Sequence, residues 1–296
     1  MKHLKQYILL QGGLGNQMFQ YAFYLTIKHN NPNAHCDNYL VIKNNDHNGY
    51  ELKRVFNINT QKSFKTYFTA KVLNRLHNKK KDRIIKILSY LGINFIIDTI
   101  PSVFIPEIII PQEKKHYYYL GYWQTERYFK HIESQVKSTF IFNTDILSEK
   151  SKQIAQKIRN CLSISIHIRR GDYLQAKYFK LYGNICTLEY YQKAISIVSQ
   201  KYNNCHFFIF SDDIEWTKTN FSSIPATFID FNKGQDSWQD MYLMSLCQHN
   251  IIANSSFSWW AAWLNSNQNK TVICPSKFLN TDQESDIIPE NWIQII

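Results

Sequence analysis

The stretch CLSISIHIRRGDY, residues 161–173, decides how this chain is organised. Its first part, residues 161–166, is short, apolar and rich in β-branched side chains, which predicts a buried strand. A glycine and polar residues follow, as at a junction between a strand and a loop. In open α/β sheets, ligands bind at the carboxyl ends of parallel strands. The side chains expected at that end are His167, Arg169, Arg170 and Asp172.

Two guanidiniums at such a position suit a diphosphate, because their planar donor forks match phosphate oxygens. The alternative is a structural arginine–aspartate pair that only closes the end of the strand. His167 could act as a base, but a lone histidine at a strand end is also a common hydrogen-bonded structural residue. Both alternatives stay open at this point.

Composition permits several classes of partner. The chain has 296 residues, enough for two domains or one large one, and 44% of them are hydrophobic. The formal net charge is +11, and the pI is about 9.2. Such a charge is compatible with nucleic acid, an anionic membrane surface or a phosphorylated substrate, and it does not choose among them.

The cysteines and the N-terminus indicate a cytoplasmic location. None of the six cysteines lies in a C-x-x-C pair, and no zinc-like spacing occurs, so free thiols in a reducing compartment are expected. The apolar run at 7–10 is too short for a signal peptide. No run approaches the roughly 20 apolar residues of a membrane span.

Strands and helices alternate regularly in the second half. This spacing predicts a parallel sheet with helices on both faces. Strands are predicted at 163–168, 206–210, 226–230, 250–253 and 271–274, and helices at 188–201, 213–221, 237–247 and 257–265. The first half is less regular, with no clear period over residues 30–60. There we predict strands at 7–10 and 117–122, helices at 16–28 and 126–137, and a linker around 140–148.

A glycine-rich motif, GGLGNQ at 12–17, follows the first predicted strand and opens the first predicted helix. This arrangement lets an anion or a sugar meet a helix N-terminus, and glycines allow close backbone approach. Met18 stands where a dinucleotide fingerprint has its third glycine, and the Gly-Lys-Ser/Thr end of a P-loop is missing. An ordinary tight turn between strand and helix is the alternative.

Three acids lie at or near the ends of other predicted elements. Asp212 and Asp213 follow the strand at 206–210, where they could bind a metal, ribose hydroxyls or a base. Asp213 could equally cap the next helix, because aspartate is a good N-cap. Asp240 lies on the helix at 237–247, where a solvated acid is the common case.

The segment NSSFSWW, residues 254–260, follows the strand at 250–253. Ser255 and Ser256 can cap the next helix, and their hydroxyls with the first helical amides can bind a phosphate. The tryptophans at 259, 260 and 263 have a spacing more typical of core residues than of a ligand platform.

Taken together, these motifs resemble the bacterial inverting α-1,2-fucosyltransferases, glycosyltransferase family 11, which includes blood-group-H-type enzymes. The matching segments are GGLGNQMFQYA (12–22), GYWQTERYF (121–129), HIRRGDY (167–173), FSDD (210–213) and DMYLMSLCQHNIIANSSFSWWAAWL (240–264). They keep the family's order and lie in both halves of the chain. Residues 30–115 show no strong match, and we expect acceptor choice to depend on them.

The resemblance implies a GT-B fold, an α/β architecture of two Rossmann-like domains facing a cleft. Residues 1–147 would form the acceptor-side domain with the Gly-rich loop, and residues 148–296 the domain that holds GDP-β-L-fucose. The family looks metal-independent, so the resemblance implies neither a metal nor another cofactor.

The resemblance also implies roles for single residues. Arg169 matches an arginine that contacts the donor diphosphate, with Arg170 assisting, and their charge would stabilise the departing GDP. Asp240 matches an acid that hydrogen-bonds the guanine edge. Asn16, in the Gly-rich loop that reaches toward the donor's sugar and phosphates, is expected to contact the donor and is also a catalytic candidate. The other residues expected to contact the donor are Gly13, Gly15, Gln17, Asp212, Asp213, Ser255 and Ser256.

The implied reaction converts a β-linked donor into an α-linked product, which requires inversion in one displacement through an oxocarbenium-like transition state. The acceptor's 2-hydroxyl must lose a proton, and Asp172 is the first candidate for the base, with His167 second. The alternative is that Asp172 orients the arginine pair. A loose path driven by the leaving group would demand little of any base.

The expected acceptor ends in galactose, as in an O-antigen or capsule unit on a lipid carrier at the inner face of the membrane. The lysine-rich stretch 62–86 could contact anionic headgroups, and a solvated basic face is the alternative. The alternative function is that of a GT-B fucosyltransferase that forms another linkage or uses another acceptor. No nucleic-acid partner is expected, because no RRM, KH or helix-turn-helix signature occurs.

Overall fold

The computed structural model describes residues 5–44, 47–60, 78–90, 92–98, 102–110 and 116–296. The chain divides into two compact units. The first contains Met1–Ile141 and Glu284–Ile287, and the second contains Phe142–Gln283 and Ile288–Ile296. Each unit has its own parallel sheet with helices between the strands, so the predicted α/β class with two Rossmann-like units is confirmed.

The first unit is built on a four-stranded sheet with the order β2-β1-β4-β3, and every neighbouring pair is parallel. Its strands are β1 (Gln6–Leu9), β2 (Ala34–Asp37), β3 (Ile93–Ile97) and β4 (His116–Leu120). Its described helices are α1 (Leu14–Asn30), α2 (Tyr39–Asn44), α3 (Leu52–Phe56), α4 (Asn78–Tyr90) and α5 (Glu133–Thr139).

Helix α1 forms the centre of the first unit's core. Most of its side chains from Leu14 to Ile27 are buried, as expected of a helix that is apolar on most sides. Phe23 stacks on Trp123, with ring centroids 4.6 Å apart. The helix therefore fixes both the Gly-rich loop that precedes it and the segment that follows β4.

The second unit is built on a six-stranded sheet with the order β10-β9-β8-β5-β6-β7, again parallel throughout. Its strands are β5 (Ser163–Ile168), β6 (His206–Ser211), β7 (Ala226–Ile229), β8 (His249–Ile251), β9 (Val272–Pro275) and β10 (Ile293–Ile295). Its helices are α6 (Glu149–Arg159), α7 (Ala176–Tyr182), α8 (Leu188–Lys201), α9 (Ile214–Phe221), α10 (Trp238–Leu246) and α11 (Ser256–Leu264).

Strand β5 lies inside this sheet and all six of its residues are buried. Ile164, Ile166 and Ile168 alternate with polar residues and pack in one cluster with side chains of α8. On the alternate positions, Ser165 accepts a 2.7 Å hydrogen bond from the Asn250 side chain, so the hydroxyl of this buried serine is paired. Burial on both faces is the expected environment of a parallel strand.

In the second sheet the strand order reverses between β5 and β8, because β6 and β7 lie to one side and β9 and β10 to the other. In the first sheet β1 and β4 are the two central strands, and the steps from β1 to β2 and from β3 to β4 run in the same direction. In doubly wound sheets, ligands bind outside the carboxyl ends of the strands at a point where the strand order reverses. The motifs GGLGNQ and GYWQ follow β1 and β4, and HIRRGDY and NSSFSWW follow β5 and β8. HIRRGDY and NSSFSWW therefore lie at the switch point of the second sheet, and GGLGNQ and GYWQ lie at the carboxyl ends of the two central strands of the first.

The predicted strands and helices of the second half are confirmed to within about two residues at each end. The helix predicted at 126–137 is wrong in its first part, because Glu126–Tyr128 and Lys130–Ile132 form 3-10 turns and the α-helix begins at Glu133. Thr125 starts this segment by accepting a hydrogen bond from the Arg127 backbone. Most of the lysine-rich stretch at 62–86 lies outside the described residues. Among the helices that are described, none is long and apolar enough to cross a membrane.

Candidate active site

The loop after β5 brings the two arginines against three aspartates. Arg169 Nε lies 2.9 Å from Asp172 Oδ1, and its Nη1 lies 3.1 Å from Asp212 Oδ2. Arg170 Nε lies 3.1 Å from Asp213 Oδ2, and its backbone N–H donates to Asp212 Oδ1 at 2.9 Å. The loops after β5 and β6 therefore form one charged cluster, which we call the arginine cluster.

The arginine cluster holds its guanidiniums without burying them. The side chains of Arg169 and Arg170 remain 33% and 25% exposed. The carboxylates of Asp212 and Asp172 raise the pKa of Arg169, although burial opposes this, so the guanidinium stays charged. The arrangement can present two oriented positive charges to an anion such as a diphosphate.

Asp172 occupies the position expected of a group that orients Arg169. As a base it would have to take a proton while it lies 2.9 Å from a guanidinium. The orienting role and the base role therefore both remain predictions for this residue.

The His167 side chain is buried near the carboxyl end of β5. It is 7% exposed, its ring lies 5.8 Å from that of Phe257, and its Nδ1 has no hydrogen-bond partner among the described residues. Burial, aided by the charge of Arg169, lowers the pKa of His167 to about 3. A neutral imidazole with so low a pKa is a poor base near neutral pH, which favours the structural alternative.

The loop after β8 closes the same switch point. Ser255 caps α11, because its Oγ accepts a hydrogen bond from the Phe257 backbone at 3.3 Å, and Ser256 begins the helix. The Tyr173 hydroxyl donates to the Asn254 backbone carbonyl at 3.2 Å. Trp259, Trp260 and Trp263 are buried, which confirms that these tryptophans belong to the core.

Asp240 is not the solvated helix acid that its position would suggest. It lies in the first turn of α10 and accepts a 2.8 Å hydrogen bond from Asn232 Nδ2. The Asn232 Oδ1 in turn accepts from the Ser151 hydroxyl at 3.2 Å. Burial raises the pKa of Asp240 to about 8, although the Asn232 hydrogen bond opposes the rise. An acid so strongly perturbed is a candidate binding group.

In the first unit, Gln17 is fully engaged in holding the Gly-rich loop. Its amide group donates to the carbonyls of Gly12 and Gly49, both at 2.8 Å, and its carbonyl accepts from the Glu51 backbone. Gly12 has φ +76°, and a Cβ there would lie 2.7 Å from the Asn16 side chain. The turn therefore requires glycine at this position.

The neighbouring glycines and Asn16 lie at the start of α1. Gly13 directly precedes the helix, and Gly15 is buried in its first turn. Asn16 Oδ1 accepts a 2.8 Å hydrogen bond from Gln124 Nε2, which joins the GGLGNQ and GYWQ motifs. The donor contacts expected of the Gly-rich loop stay predictions.

Sequence reasoning missed Glu51, which lies at the N-terminus of α1. Its carboxyl is 2% exposed, accepts a hydrogen bond from the Leu14 backbone and lies 3.1 Å from Arg54. Burial raises its pKa. A side chain of the protein therefore occupies part of the place where an external anion was expected. Glu51 lies in a stretch without clear periodicity, so no pattern signalled it.

The described ranges contain no group of three His, Cys, Asp or Glu side chains arranged to hold a metal ion. Asp212 and Asp213, considered as metal ligands from the sequence, instead contact the two arginines. All six cysteines are free thiols.

A family model matches nearly the whole chain. The model of "Glycosyl transferase family 11" matches residues 5–296. The chain belongs to this family. It is therefore a glycosyltransferase, and the family resemblance inferred from the motifs is confirmed.

Three proteins to which the chain is similar are named for glycosyl transfer. The chain is 34% identical to an alpha-1,2-colitosyltransferase of Escherichia coli over 97% of both chains. It is 29% identical to the E. coli O-antigen biosynthesis glycosyltransferase WbnK, covering 98% of this chain and 100% of that one. It is 27% identical to galactoside alpha-(1,2)-fucosyltransferase 1 of Saimiri boliviensis boliviensis, covering 46% of this chain and 40% of that one.

A solved structure supports the fold class. The chain matches the NodZ alpha-1,6-fucosyltransferase soaked with GDP-fucose, with a TM-score of 0.52 and 12% identity, covering 89% of this chain and 93% of that one. At this identity the likeness speaks for the fold alone. Together with the two parallel-sheet units, it confirms the GT-B class.

Proposed function

We propose that this family 11 glycosyltransferase transfers L-fucose from GDP-β-L-fucose to the 2-hydroxyl of a terminal galactose, with inversion. The observation that carries the proposal is the arginine cluster at the switch point of the second sheet, where Arg169 and Arg170 are held by three aspartates. The relatives named for alpha-1,2 transfer and for O-antigen biosynthesis support the linkage and an O-antigen-like acceptor.

The arginine pair would act on the leaving group. When the bond between the sugar's anomeric carbon and the β-phosphate oxygen breaks, the electron pair stays on that oxygen of GDP. Arg169 and Arg170, preoriented by Asp172, Asp212 and Asp213, would stabilise this negative charge without reorganising. Oriented guanidiniums can perform this task for a diphosphate, so we propose a reaction that needs neither a metal nor another cofactor.

The acceptor oxygen would attack the anomeric carbon from the face opposite GDP, which gives the inverted α-linked product. The hydroxyl proton would pass to Asp172 or to water. Asp172 pairs with Arg169 through Oδ1, so its other carboxylate oxygen would accept the proton while the pair stays intact. A dissociative transition state would need this proton transfer only late in the step.

Asp240 would receive the guanine. Two adjacent N–H donors on the guanine edge match one carboxylate, and a carboxylate in a low-dielectric site forms strong charge-assisted hydrogen bonds. The pKa of about 8 means that the carboxyl starts largely protonated at neutral pH and loses its proton when guanine binds. Asn232 would fix the orientation of this carboxyl.

Transfer of colitose is a second candidate function, because the E. coli relative at 34% identity is an alpha-1,2-colitosyltransferase. Colitose is fucose without its 3-hydroxyl, so the same leaving group and linkage would apply. A site that hydrogen-bonds the 3-hydroxyl would reject the deoxy sugar, whereas an apolar site would accept it.

The expected acceptor also suggests where in the cell the enzyme acts. A galactose-terminated unit on a lipid carrier would place the enzyme in the cytoplasm, with peripheral contact to an anionic membrane through residues 62–86. Salt-sensitive flotation with anionic vesicles, lost when the lysines of 62–86 are replaced by glutamate, would support this contact. Absence of flotation would remove it.

The experiment is a comparison of donors and acceptors with product analysis. Purified protein is incubated with GDP-fucose or GDP-colitose and with lactose, a longer β-galactoside or the matching β-glucoside. NMR of the product should show an α-(1→2) linkage to galactose and no product with the β-glucoside. A different linkage would refute the regiochemistry, and a preference for GDP-colitose would select the second candidate.

A further inference from the structure

Trp216, on the first turn of α9, lies against one of the two arginines. The guanidinium carbon of Arg170 is 3.9 Å from the centroid of the Trp216 ring. This distance is well inside the range of a cation–π contact, and tryptophan is the strongest partner for one. Trp216 is itself anchored, because it packs on the core of the second unit and lies 5.8 Å from Phe221 by ring centroids.

Asp213 links the same two residues. Its Oδ1 accepts a hydrogen bond from the Trp216 backbone at 3.3 Å and so caps α9. Its Oδ2 lies 3.1 Å from Arg170 Nε. One carboxylate therefore fixes the start of the helix that carries the ring and also the edge of the guanidinium that lies over the ring.

A long arginine side chain at a loop normally samples several rotamers, and fixing it costs conformational entropy at the moment of binding. Here the ring supports one face of the guanidinium and Asp213 holds its Nε edge. Arg170 still has a 25% exposed side chain. The contacts therefore restrict the orientation of Arg170 without hiding it from a ligand.

We infer that Trp216 is a positioning residue for donor binding: it acts through Arg170, whose guanidinium it holds in the orientation that meets the donor diphosphate. The inference rests on the proposed function, in which Arg170 contacts that diphosphate. Trp216 has no direct contact with the reacting sugar in this account. Its effect should therefore appear in the binding of GDP and of the donor rather than of the acceptor.

The test compares Trp216→Leu, which removes the aromatic face, with Trp216→Phe, which keeps one. For Trp216→Leu we expect GDP binding, measured by calorimetry, to weaken about 5- to 20-fold, with a matching rise in donor KM. The KM for the galactoside should stay close to wild type, and the melting temperature should fall by a few degrees because the Trp216 ring also packs on the core. Trp216→Phe should recover binding to within about threefold of wild type.

A matched control variant and a double mutant test whether the loss of GDP binding in Trp216→Leu acts through Arg170. Phe231→Leu removes another ring under a cation, where Lys150 Nζ lies 5.7 Å from the Phe231 centroid, and should leave the Kd for GDP unchanged. In an Arg170→Ala background, Trp216→Leu should cause no further loss, because a contact already broken cannot be lost again.

Three results would distinguish failure of the positioning role of Trp216 from failure of the proposed function. Equal GDP binding by wild type and Trp216→Leu, or an equal further loss in the Arg170→Ala background, refutes the positioning role alone. Tight GDP binding without transfer to any acceptor refutes the proposed function and leaves the role of Trp216 measurable by GDP binding. No GDP binding by the wild-type protein refutes both.

Discussion

The Tyr173 hydroxyl donates a 3.2 Å hydrogen bond to the backbone carbonyl of Asn254, and this contact joins the loops that follow β5 and β8. The Tyr173 ring also stacks on that of Tyr182, with centroids 4.8 Å apart, and lies 5.7 Å from the Arg169 guanidinium. The two loops at the switch point of the second sheet are thus connected through one aromatic side chain beside the arginine cluster.

Tyr173→Phe should lower the free energy of unfolding by about 1 kcal/mol, because it removes one hydrogen bond and keeps the stacked ring. We also expect a several-fold loss of kcat/KM, since the loop that carries Arg169 is less firmly fixed. Tyr202→Phe is the control, as it removes a hydroxyl that lies 2.7 Å from Thr271 Oγ1 at the end of α8. A similar kcat/KM loss in both variants would contradict the link between Tyr173 and activity.

Gln124→Ala should impair the Gly-rich loop of the first unit by removing the 2.8 Å hydrogen bond to Asn16. The preceding residue, Trp123, has φ +55°, a strained conformation for a residue with a side chain, and its stacking on Phe23 stabilises it. Because the strained backbone of Trp123 sets the position of the next residue, Gln124, we expect Gln124 to take part in ligand binding. We predict about a tenfold loss of kcat/KM, measured by GDP release, with a melting temperature within a few degrees of wild type.

The exposed Gln135 provides the comparison for Gln124 within the same unit. Gln135→Ala should leave both kcat/KM and the melting temperature unchanged. If Gln124→Ala behaves like Gln135→Ala, the contact with Asn16 has no part in the reaction.

Asp240→Asn should stabilise the protein increasingly as pH rises. The folded pKa of Asp240 is raised from 3.8 to about 8, so the stability this carboxyl gives at low pH is lost as pH increases through that window. Asparagine cannot ionise, so the variant's gain in unfolding free energy should grow between pH 5 and 8 and then level off. The same variant should bind GDP far more weakly, because it lacks the carboxylate proposed for guanine.

Chemical denaturation at several pH values and GDP titration of the same samples measure both effects of Asp240→Asn. The control is Asp230→Asn, since Asp230 has a 46% exposed side chain 3.5 Å from Lys218 Nζ. A pH-independent difference from wild type, or unchanged GDP binding, would show that Asp240 is not the perturbed guanine acceptor.

The pH dependence of the stability contribution of His167 should be opposite to that of Asp240. Its folded pKa is lowered from 6.5 to about 3, so its neutral form stabilises the fold above pH 6.5, and this contribution is lost as pH falls towards 3. His167→Asn should therefore flatten the acid loss of stability between pH 6.5 and 4. The profile of kcat against pH between 6 and 9 should keep its shape, and loss of an ionisation near pH 7 in the variant would instead identify His167 as the base.

The local sequence pattern was sufficient to predict the central strand of the second sheet. Strand β5 was predicted at its observed bounds, because its apolar and β-branched residues lead directly into a polar loop. Strand β2 could not be found in this way. It has four residues, among them His35 and Asp37, and its strand conformation depends on pairing with β1.

Sequence placed the two arginines at the end of a strand but did not identify all their partners. Asp212 meets Arg169 because β5 and β6 are neighbours in register, with Ile168 opposite Ser211. That register and the ring of Trp216 beneath Arg170 are tertiary features, and no short-range pattern reveals them. The same holds for Glu51, which reaches the start of α1 from a region without clear periodicity.

We propose that the arginine cluster drives departure of GDP in a fucosyl transfer without a metal. GDP release from GDP-fucose, measured with and without a β-galactoside, in EDTA, for wild type and Arg169→Ala, tests this role. We expect release that the acceptor stimulates, that EDTA does not change, and that falls at least about a hundredfold in the variant. Release that EDTA abolishes, or that Arg169→Ala retains, would show that the arginine cluster does not have this role.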